Sequence, residues 1–439
     1  MGLNDNESLK RVIGVPGLAA TVVNNTIGAG IFALPAVVGI AMGASGVLAY
    51  VFCGLIVITI MLCYLEIGTK ITESGGSYIY VEKAFGPLAG FIINWLFFFG
   101  WGVLGSAAIW NVLADSLAVL FPVFLNPLMR ALLFFMLLGS LVIINITGAK
   151  NSVKFVTYIT VVKIVPLIAI AIFGISHIKT NNLHWDHLPT LQTTGSSVLA
   201  LFFAFVGFET SLSSSGEIKD PAKTIPRGVF LGSITAYIIY IALQVVTQGI
   251  LGAHINAYKA APLAAVAEDI IGPVGATILV AAAVISCLGN ESGDMLATPR
   301  LLYAGAKDGL FPKFLAKVHP KYATPYMAVI VYASLEFVLS VSGGFKQLAI
   351  LASCTLLIIY LAVILAMLKF RRQTDPSAEK TFRIPGGVLI PVIAIAAIIW
   401  LLTTLSGNEI LSTAIFIAIV CVIYFIMQWF KKKDAAHPF

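Results

Sequence analysis

The side chains best suited to chemistry in this sequence are ionisable groups inside long apolar stretches. Lys163 lies in the run 161–167, and Glu291 and Asp294 lie three residues apart in a later run. A charge at the centre of a bilayer costs at least about 2.5–3.5 kcal/mol, so these groups must face protein or a water-filled cavity. Lys163 is a candidate proton-coupling residue, because a desolvated lysine exchanges its proton readily. Glu291 and Asp294 share one helix face and could pair with Lys163, bind a cationic ligand or carry protons.

Two short interruptions could offer backbone groups to a ligand. At Gly28–Ala29–Gly30, beside Thr26, minimal side chains let a helix unwind and a ligand approach the backbone. The amides freed there favour an anion such as a carboxylate. The second interruption, residues 203–209, and the carbonyls near Thr26 offer acceptors to a cation such as an α-ammonium group. Two such half-sites describe a zwitterion, although the glycines alone could serve close helix packing.

Side chains at the second interruption allow more than one reading. Phe203, Phe205 and Phe208 could pack in a core or face lipid, or they could form an aromatic gate beside the ligand. Glu209 borders this break and could be protonated or could hold the unwound segment through backbone hydrogen bonds. We favour the structural role for Glu209. Asp115 and Glu336 are expected nearer the ends of their apolar runs, as interface residues.

The composition requires these residues to be positioned by membrane-spanning helices. The chain has 439 residues, 59% of them hydrophobic and 11% charged, and its mean hydropathy is +0.97. Apolar stretches of about 18 or more residues indicate helical spans rather than a barrel. We predict an all-α integral membrane protein with twelve spans, at 12–40, 43–68, 87–120, 126–146, 152–176, 195–216, 227–252, 275–305, 325–342, 346–369, 384–405 and 409–430. The longest loops include 69–86, 177–194, 253–274 and 306–324.

Basic residues predict the orientation of these spans. Most of them fall on one side, and only Arg130, Lys179, Lys259 and Lys346 fall on the other. The positive-inside rule then places both termini in the cytoplasm of a cell (plasma or inner) membrane. The net charge of +7 is explained by this topology and needs no nucleic-acid partner. All five cysteines fall inside predicted spans, which argues against a disulfide framework or a metal site, and no cofactor is expected.

The positions of the two interruptions predict an internal repeat. They fall in the first and sixth spans, and five spans are an odd number, so the second copy is inverted relative to the first. The expected organisation is a cytoplasmic N-terminus at 1–11, a first inverted repeat at 12–176, a second at 195–370, two further spans within 384–430 and a cytoplasmic C-terminus at 431–439. Paired broken helices at equivalent positions are the sequence feature that best marks the midplane site of a transporter. No extramembrane segment is long enough to form a domain, which favours carriers and channels over a tethered enzyme.

Four stretches, taken in order, resemble the amino acid–polyamine–organocation (APC) transporter superfamily over nearly the whole chain. They are GAGIF in the first span, EIGTKITESGGSYIYVEKAFGP at 66–87, FAFVGFE followed by GEIKDPAKTIPRG up to 228, and RLLYAGAKDGLFPKFLAKVHPKYATP at 300–325. The resemblance implies the five-plus-five inverted-repeat (LeuT-like) fold with two extra spans and alternating access around a central site.

The resemblance also implies roles for individual residues. Lys163 is similar to the fifth-span lysine that, in proton-coupled members, takes the place of a sodium ion, which implies sodium independence. Ala29 occupies a place where several members carry serine, and the acidic pair Glu291 and Asp294 is unusual among amino acid carriers. The first-span contacts to the substrate's amine and carboxylate correspond to Thr26, Gly28, Ala29 and Gly30, the gating aromatic to Phe203, and the unwound turn to Phe205, Val206 and Gly207.

The sequence therefore predicts a secondary carrier for amino acids rather than an enzyme. It would use the proton gradient through Lys163 or exchange one amino acid for another, with protons and membrane lipids as its other partners; the oligomeric state is left open. The alternative carrier is a cationic amino acid or polyamine antiporter with Asp294 or Glu291 as countercharge. An ion channel would need a continuous polar pore that the sparse polar residues do not supply, and a solute sensor would bind without transport.

Overall fold

The described part of the chain is built from helices. A computed structural model describes residues 13–71, 76–147, 153–185, 188–212, 218–307, 311–373 and 382–436. Within these ranges the one strand-like contact is an isolated parallel bridge between Ile13 and Ile218. The α-helices are α1 Val15–Thr26, α2 Gly30–Met42, α3 Gly46–Lys70, α4 Ser77–Phe85, α5 Pro87–Trp95, α6 Ser106–Leu120, α7 Pro127–Thr147, α8 Val153–Phe173, α9 Leu191–Phe205, α10 Phe208–Leu212, α11 Pro221–Leu251, α12 Pro262–Ile271, α13 Pro273–Lys307, α14 Tyr326–Ser342, α15 Phe345–Gln373, α16 Leu389–Thr403 and α17 Gly407–Ala436.

Eight helical runs among these residues are long and apolar enough to cross a membrane. They are Gly30–Lys70, Pro87–Leu120, Pro127–Thr147, Leu191–Thr210, Pro221–Tyr258, Pro273–Lys307, Phe345–Arg372 and Gly407–Trp429. Three shorter apolar helices accompany them: Val162–His177, Tyr326–Ser342 and Leu389–Thr403. The architecture is that of a multi-pass helical membrane protein, as the composition predicts.

The number of spans and the repeat remain predictions. The run Gly30–Lys70 contains both α2 and α3, because only the 3₁₀ turn Gly43–Ser45 separates them. Helix α1 has only 12 residues, and α16 has 15, each less than the about 20 residues that cross a bilayer alone. Length and composition therefore do not by themselves divide the chain into twelve spans.

Two predicted loops contain helices. The segment 69–86 includes α4, and the segment 253–274 includes α12. Helix α12 is amphipathic: it buries Leu263, Val266 and Ala267 against its neighbours while Glu268 and Asp269 are exposed. At 9 and 10 residues both helices are far too short to span a membrane, so a search for long apolar runs passes over them.

Two helix breaks lie side by side in the packing. Helix α1 ends at Thr26 and α2 begins at Gly30, while α9 ends at Phe205 and α10 begins at Phe208. Helix α1 packs beside α10 and α11, and α2 packs beside α9. The segments at the outer ends of α1 and α10 also meet, because the Lys219 amide donates to the Ile13 carbonyl at 2.9 Å.

The remaining helices form a frame around these breaks. Helix α13 packs against α6, α8, α12 and α14, and α11 packs against α1 and α3. Helices α5 and α6 are joined through a π-helical stretch, Leu96–Gly105. Such widened turns often lie at functional sites, and here the stretch brings Trp101 towards the two breaks.

Candidate functional site

A cavity of about 310 Å³ lies where the two helix breaks meet α6, α13 and the π-helical stretch. That volume suits a small molecule and is at the lower end of the usual range for ligand pockets. Its walls come from the first break, the second break and α13, with Trp101 and Ile109 completing them. The lining residues are Asn24, Asn25, Thr26, Gly28, Ala29, Gly30, Trp101, Ile109, Phe203, Ala204, Val206, Gly207, Thr210, Gly289, Asn290, Gly293 and Asp294.

The first break presents backbone donors to this cavity. The Gly28 amide is already used, since it donates to the Thr26 carbonyl at 2.8 Å. Helix α2 begins at Gly30, so the amides of Gly30 and Ile31 have no carbonyl of their own helix to bond. The positive end of α2 therefore points into the break, where an anionic group is favoured.

The glycines of the first break are needed for space. A Cβ on Gly30 would lie 3.0 Å from the Ala204 Cβ and 3.3 Å from the Phe203 ring. A Cβ on Gly28 would lie 3.0 Å from Nδ2 of Asn290. Larger side chains at these positions would therefore push against the opposite wall or fill the cavity.

The second break presents backbone acceptors. Helix α9 ends at Phe205, so its last carbonyls have no intrahelical donor. The Tyr237 hydroxyl donates to the Phe205 carbonyl at 2.9 Å, and the Tyr240 hydroxyl lies 3.2 Å from the Ala204 carbonyl and 2.6 Å from that of Thr26. The Phe203 carbonyl accepts no hydrogen bond from the described residues. It is thus one acceptor near the end of α9 that is open to a ligand cation.

The two breaks are fastened to each other. The side-chain Nδ2 of Asn25 donates to the Thr210 hydroxyl at 2.8 Å, and that hydroxyl donates to the Gly207 carbonyl at 2.6 Å. Gly207 has a φ of +113°, and a Cβ there would lie 2.9 Å from the Asn25 carbonyl oxygen. The Gly207 amide donates to Oε2 of the buried Glu209 at 3.0 Å. The Gly207 amide is therefore already bonded to the Glu209 side chain, which lies outside the cavity lining, and is not available to a ligand.

The aromatic residues of the second break have different surroundings. Phe203 lines the cavity and contacts Trp101 and Phe345, with ring centroids 5.7 and 5.9 Å away. Phe205 and Phe208 lie outside the cavity lining. Phe205 is the last residue of α9 rather than part of an unwound turn, and its ring stacks on Tyr237 at 4.7 Å. Phe208 packs edge-on against Tyr64, with ring centroids 5.6 Å apart.

Lys163 lies behind the first break. Its side chain is 1% exposed, and Nζ donates to the Asn24 carbonyl at 2.8 Å. No carboxylate of the described residues forms an ion pair with it, so this structure does not bring it together with Glu291 or Asp294. Its ammonium instead connects α8 to the carbonyl of a cavity-lining residue.

The acidic pair on α13 divides between two environments. Asp294 lines the cavity together with Asn290 and Gly293, whereas Glu291 is 0% exposed and outside the lining. Glu336 is also 0% exposed and lies within α14, six residues before its last residue Ser342, so it is a buried residue rather than the interface residue that the sequence suggested. It accepts a hydrogen bond from Nε1 of Trp110 at 3.3 Å.

The structure also adds cavity residues that the sequence did not single out. Asn24, Asn25 and Thr210 come from the ends of α1 and α10, and Asn290 and Trp101 come from α13 and the π-helical stretch. The signal that could have found Asn25 and Asn290 is their position: each is a polar residue within a few positions of a predicted site residue. Trp101 gave no such signal, because an aromatic residue in an apolar run is ordinary.

Comparison with known proteins links this arrangement to a family of permeases. The sequence model described as "Amino acid permease" matches residues 13–430, a range that contains both breaks and the whole cavity. The methylthioribose transporter of Bacillus subtilis (strain 168) is 28% identical, over 96% of this chain and 94% of the relative. The branched-chain amino acid permease BcaP of the same organism is 25% identical, over 96% and 93%. The serine/threonine exchanger SteT, also of Bacillus subtilis (strain 168), is 26% identical, over 98% of this chain and 99% of the relative.

Proposed function

The chain belongs to the amino acid permease family of the APC superfamily, and we propose that it is a sodium-independent secondary carrier that moves an amino acid by alternating access. Transport would be coupled to protons or would exchange one amino acid for another. The observation that supports this most is the meeting of two opposite helix ends at one cavity. Free amides at the start of α2 suit a carboxylate, and the Phe203 carbonyl at the end of α9 suits an ammonium group.

The proposed contacts follow this polarity. Gly30 and the neighbouring amides would hold the substrate carboxylate, with Ala29 contributing backbone only, because it has no hydroxyl. The Phe203 carbonyl would accept from the α-ammonium group, while the Phe203 ring would close the cavity against Trp101. Four further lining residues would shape the cavity wall without a side-chain contact to the substrate: Thr26, Gly28, Val206 and Gly207.

Lys163 is the proposed coupling residue. Its position next to the Asn24 carbonyl would let one positive charge stabilise the last turn of α1. When the amine is neutral, that carbonyl loses its charge-assisted bond and the contact between α8 and α1 weakens. Proton binding at Lys163 would thus favour one arrangement of α1, and no sodium ion would be needed there.

The proposed architecture is the twelve-span, five-plus-five inverted repeat of residues 12–176 and 195–370, with two spans in 384–430. Supporting it, α1 lies beside α10 while α2 lies beside α9, as expected for two broken helices running in opposite directions. Both termini, 1–11 and 431–439, would lie in the cytoplasm of the cell membrane, as the basic residues indicate.

Ligand binding to the purified protein tests this function. In a thermal-shift panel of amino acids, sugars and polyamines, a bound ligand raises the melting temperature, by mass action, because it binds only the folded state. We expect an amino acid to stabilise the protein and to drive counterflow of its labelled form in proteoliposomes. If none of the amino acids drives counterflow, in protein that remains folded, the proposal is contradicted.

The relatives favour neutral substrates, and one observation favours a cationic one. The names of two relatives specify branched-chain amino acids and serine or threonine. Against this, the carboxyl group of Asp294 lies in the cavity wall, where it could pair with a basic side chain or a polyamine. Asp294→Asn distinguishes the two: it should abolish binding of lysine, arginine or polyamines if they are substrates. Unchanged transport of such cations would remove the support for this second candidate, and Asp115→Asn, outside the cavity lining, is the control.

A further inference from the structure

Three carboxyl side chains lie on the two neighbouring helices α13 and α14. Asp294 lines the cavity, Glu291 lies about one turn earlier on α13, and Glu336 lies on α14, which packs against α13. The side chains of Glu291 and Glu336 are each 0% exposed. Neither of these two residues lines the cavity, so their carboxyl groups have no direct access to a ligand there.

The hydrogen bonds around these groups are incomplete. Neither carboxyl oxygen of Glu291 has a partner among the described residues, and Oε1 of Glu336 also has none. Oε2 of Glu336 accepts from Nε1 of Trp110 at 3.3 Å. The Ser106 hydroxyl, 3.2 Å from the Tyr332 hydroxyl, neighbours both carboxyl groups.

The elements packed around Glu291 supply no countercharge. Helix α6 contributes Ser106 and Trp110, and α14 contributes Tyr332 and Glu336. On α8, the ammonium of Lys163 is engaged by the Asn24 carbonyl; on α7, Arg130 pairs with Asp115 at 2.6 Å. No basic residue in the described ranges lies within ion-pair distance of Glu291 or Glu336.

Two unpaired carboxylates would be very unfavourable here. Burying one ion without a counterion costs several kcal/mol, and a second like charge nearby adds repulsion. A carboxylic acid, by contrast, is neutral and can donate its O–H to the other carboxyl group or to the Ser106 hydroxyl. Protonation of Glu291 therefore removes a charge for which the described residues supply no partner.

We propose that Glu291 and Glu336 form a proton-binding pair beside the substrate cavity and together carry at least one proton in this conformation. This inference rests on the proposed carrier function and adds a proton site distinct from Lys163. Asp294 is the outlet: when α13 and α14 move, Glu291 gives its proton to the Asp294 carboxylate, leaving Glu291 ionised and Asp294 neutral. Asp294 then releases that proton to water in the cavity.

Infrared spectroscopy of the purified protein tests the pair without requiring transport. Glu291→Gln keeps the shape of the side chain and removes the acid. The C=O stretch of a protonated carboxylic acid should be present in the wild type and reduced in Glu291→Gln at neutral pH. Asp115→Asn is the matched control, because Asp115 forms an ion pair with Arg130 and lies outside this group. An unchanged protonated-carboxyl band in both Glu291→Gln and Glu336→Gln would overturn the proposal.

Proteoliposomes supply the functional readout. Glu291→Gln should retain amino acid counterflow but move fewer protons per amino acid, because exchange needs no net proton movement. Full proton stoichiometry in both Glu291→Gln and Glu336→Gln would contradict the proposal. If the band instead disappears from the wild type when lysine or a polyamine is added, the pair is a cation site and the proposal is wrong. Absence of counterflow in the wild type with every amino acid would overturn the proposed carrier function. The infrared measurement, which requires no transport, would still decide whether Glu291 and Glu336 hold a proton.

Discussion

The two helix breaks meet at one cavity but are stabilised in different ways. The first break is held by distant helices: Lys163 of α8 donates to the Asn24 carbonyl, and Tyr240 of α11 lies within hydrogen-bond distance of the Thr26 carbonyl. The second break also has contacts from α11, through the Tyr237 and Tyr240 hydroxyls, and it has in addition a local bond from the Gly207 amide to the side chain of Glu209 two residues later. Its conformation is fixed by a positive φ, whereas the glycines of the first break provide room.

This difference suggests a division of labour. A break whose contacts come from other helices changes when those helices move, and α1 is tied in this way to α8 and α11. A break that also has a local bond of its own, such as that from the Gly207 amide to Glu209, keeps more of its shape while the surroundings change. We therefore expect the first break to respond to substrate and protons, and the second to act as a fixed acceptor and hinge.

The largest effect is expected at the first break. Gly30→Leu would place a branched side chain against Ala204 and Phe203, where even a Cβ is tight, and would block the amides at the start of α2. We expect loss of measurable substrate binding by thermal shift. Gly293→Ala is the control, because it adds a methyl group to the same cavity where nothing lies within 4 Å. Unchanged affinity in Gly30→Leu would mean that this glycine serves helix packing alone.

At the second break, Gly207→Ala should be nearly as severe. An Ala at this φ carries strain of about 1–3 kcal/mol, and its Cβ would press on the Asn25 carbonyl at 2.9 Å. We expect at least about a ten-fold loss of counterflow, since 1.4 kcal/mol corresponds to that factor. Gly43→Ala, which has a φ of +56° in open space, is the control for strain alone. Equal losses in both variants would show that the close approach to Asn25 has no role.

Lys163→Ala separates coupling from binding at the first break. Without the ammonium that donates to the Asn24 carbonyl, proton binding cannot favour one arrangement of α1. We expect pH-driven accumulation to disappear while some counterflow remains, measured in proteoliposomes with and without a pH gradient. If Lys163→Ala accumulates substrate as the wild type does, the first break does not respond to protons through Lys163.

The smallest effect is expected from the tyrosines of α11. The Tyr240 hydroxyl lies within hydrogen-bond distance of the Thr26 carbonyl in the first break and the Ala204 carbonyl in the second. The Tyr237 hydroxyl donates to the Phe205 carbonyl, in the second break alone. A hydrogen bond contributes about 1 kcal/mol, so Tyr240→Phe should weaken substrate binding by a few fold. Tyr237→Phe is the matched control, with a smaller effect on affinity. Equal affinities in the two variants would indicate that the Tyr240 link does not couple the breaks.

Much of the site was predictable because, within membrane-spanning runs, glycines mark places where a helix can break and charged side chains must face protein or a cavity. Gly28 to Gly30 and Gly207 stand out in apolar runs, and the structure places them around one cavity with Asp294. Side-chain direction was harder to predict: Phe203 and Phe205 are two residues apart on one helix, yet only Phe203 reaches the cavity. The burial of Glu336 was missed, because its depth depends on how α14 packs against α6. Short helices α4 and α12 likewise depend on packing rather than on long apolar runs.

The central claim is that two opposite helix ends bind the two charges of one amino acid. The most direct measurement is the affinity of the purified protein for its best amino acid and for two analogues, one without the α-carboxylate and one without the α-amino group. Removing either group should abolish binding, because one half-site then keeps unsatisfied backbone groups at the cavity. Binding of either analogue with the affinity of the parent amino acid would contradict the central claim.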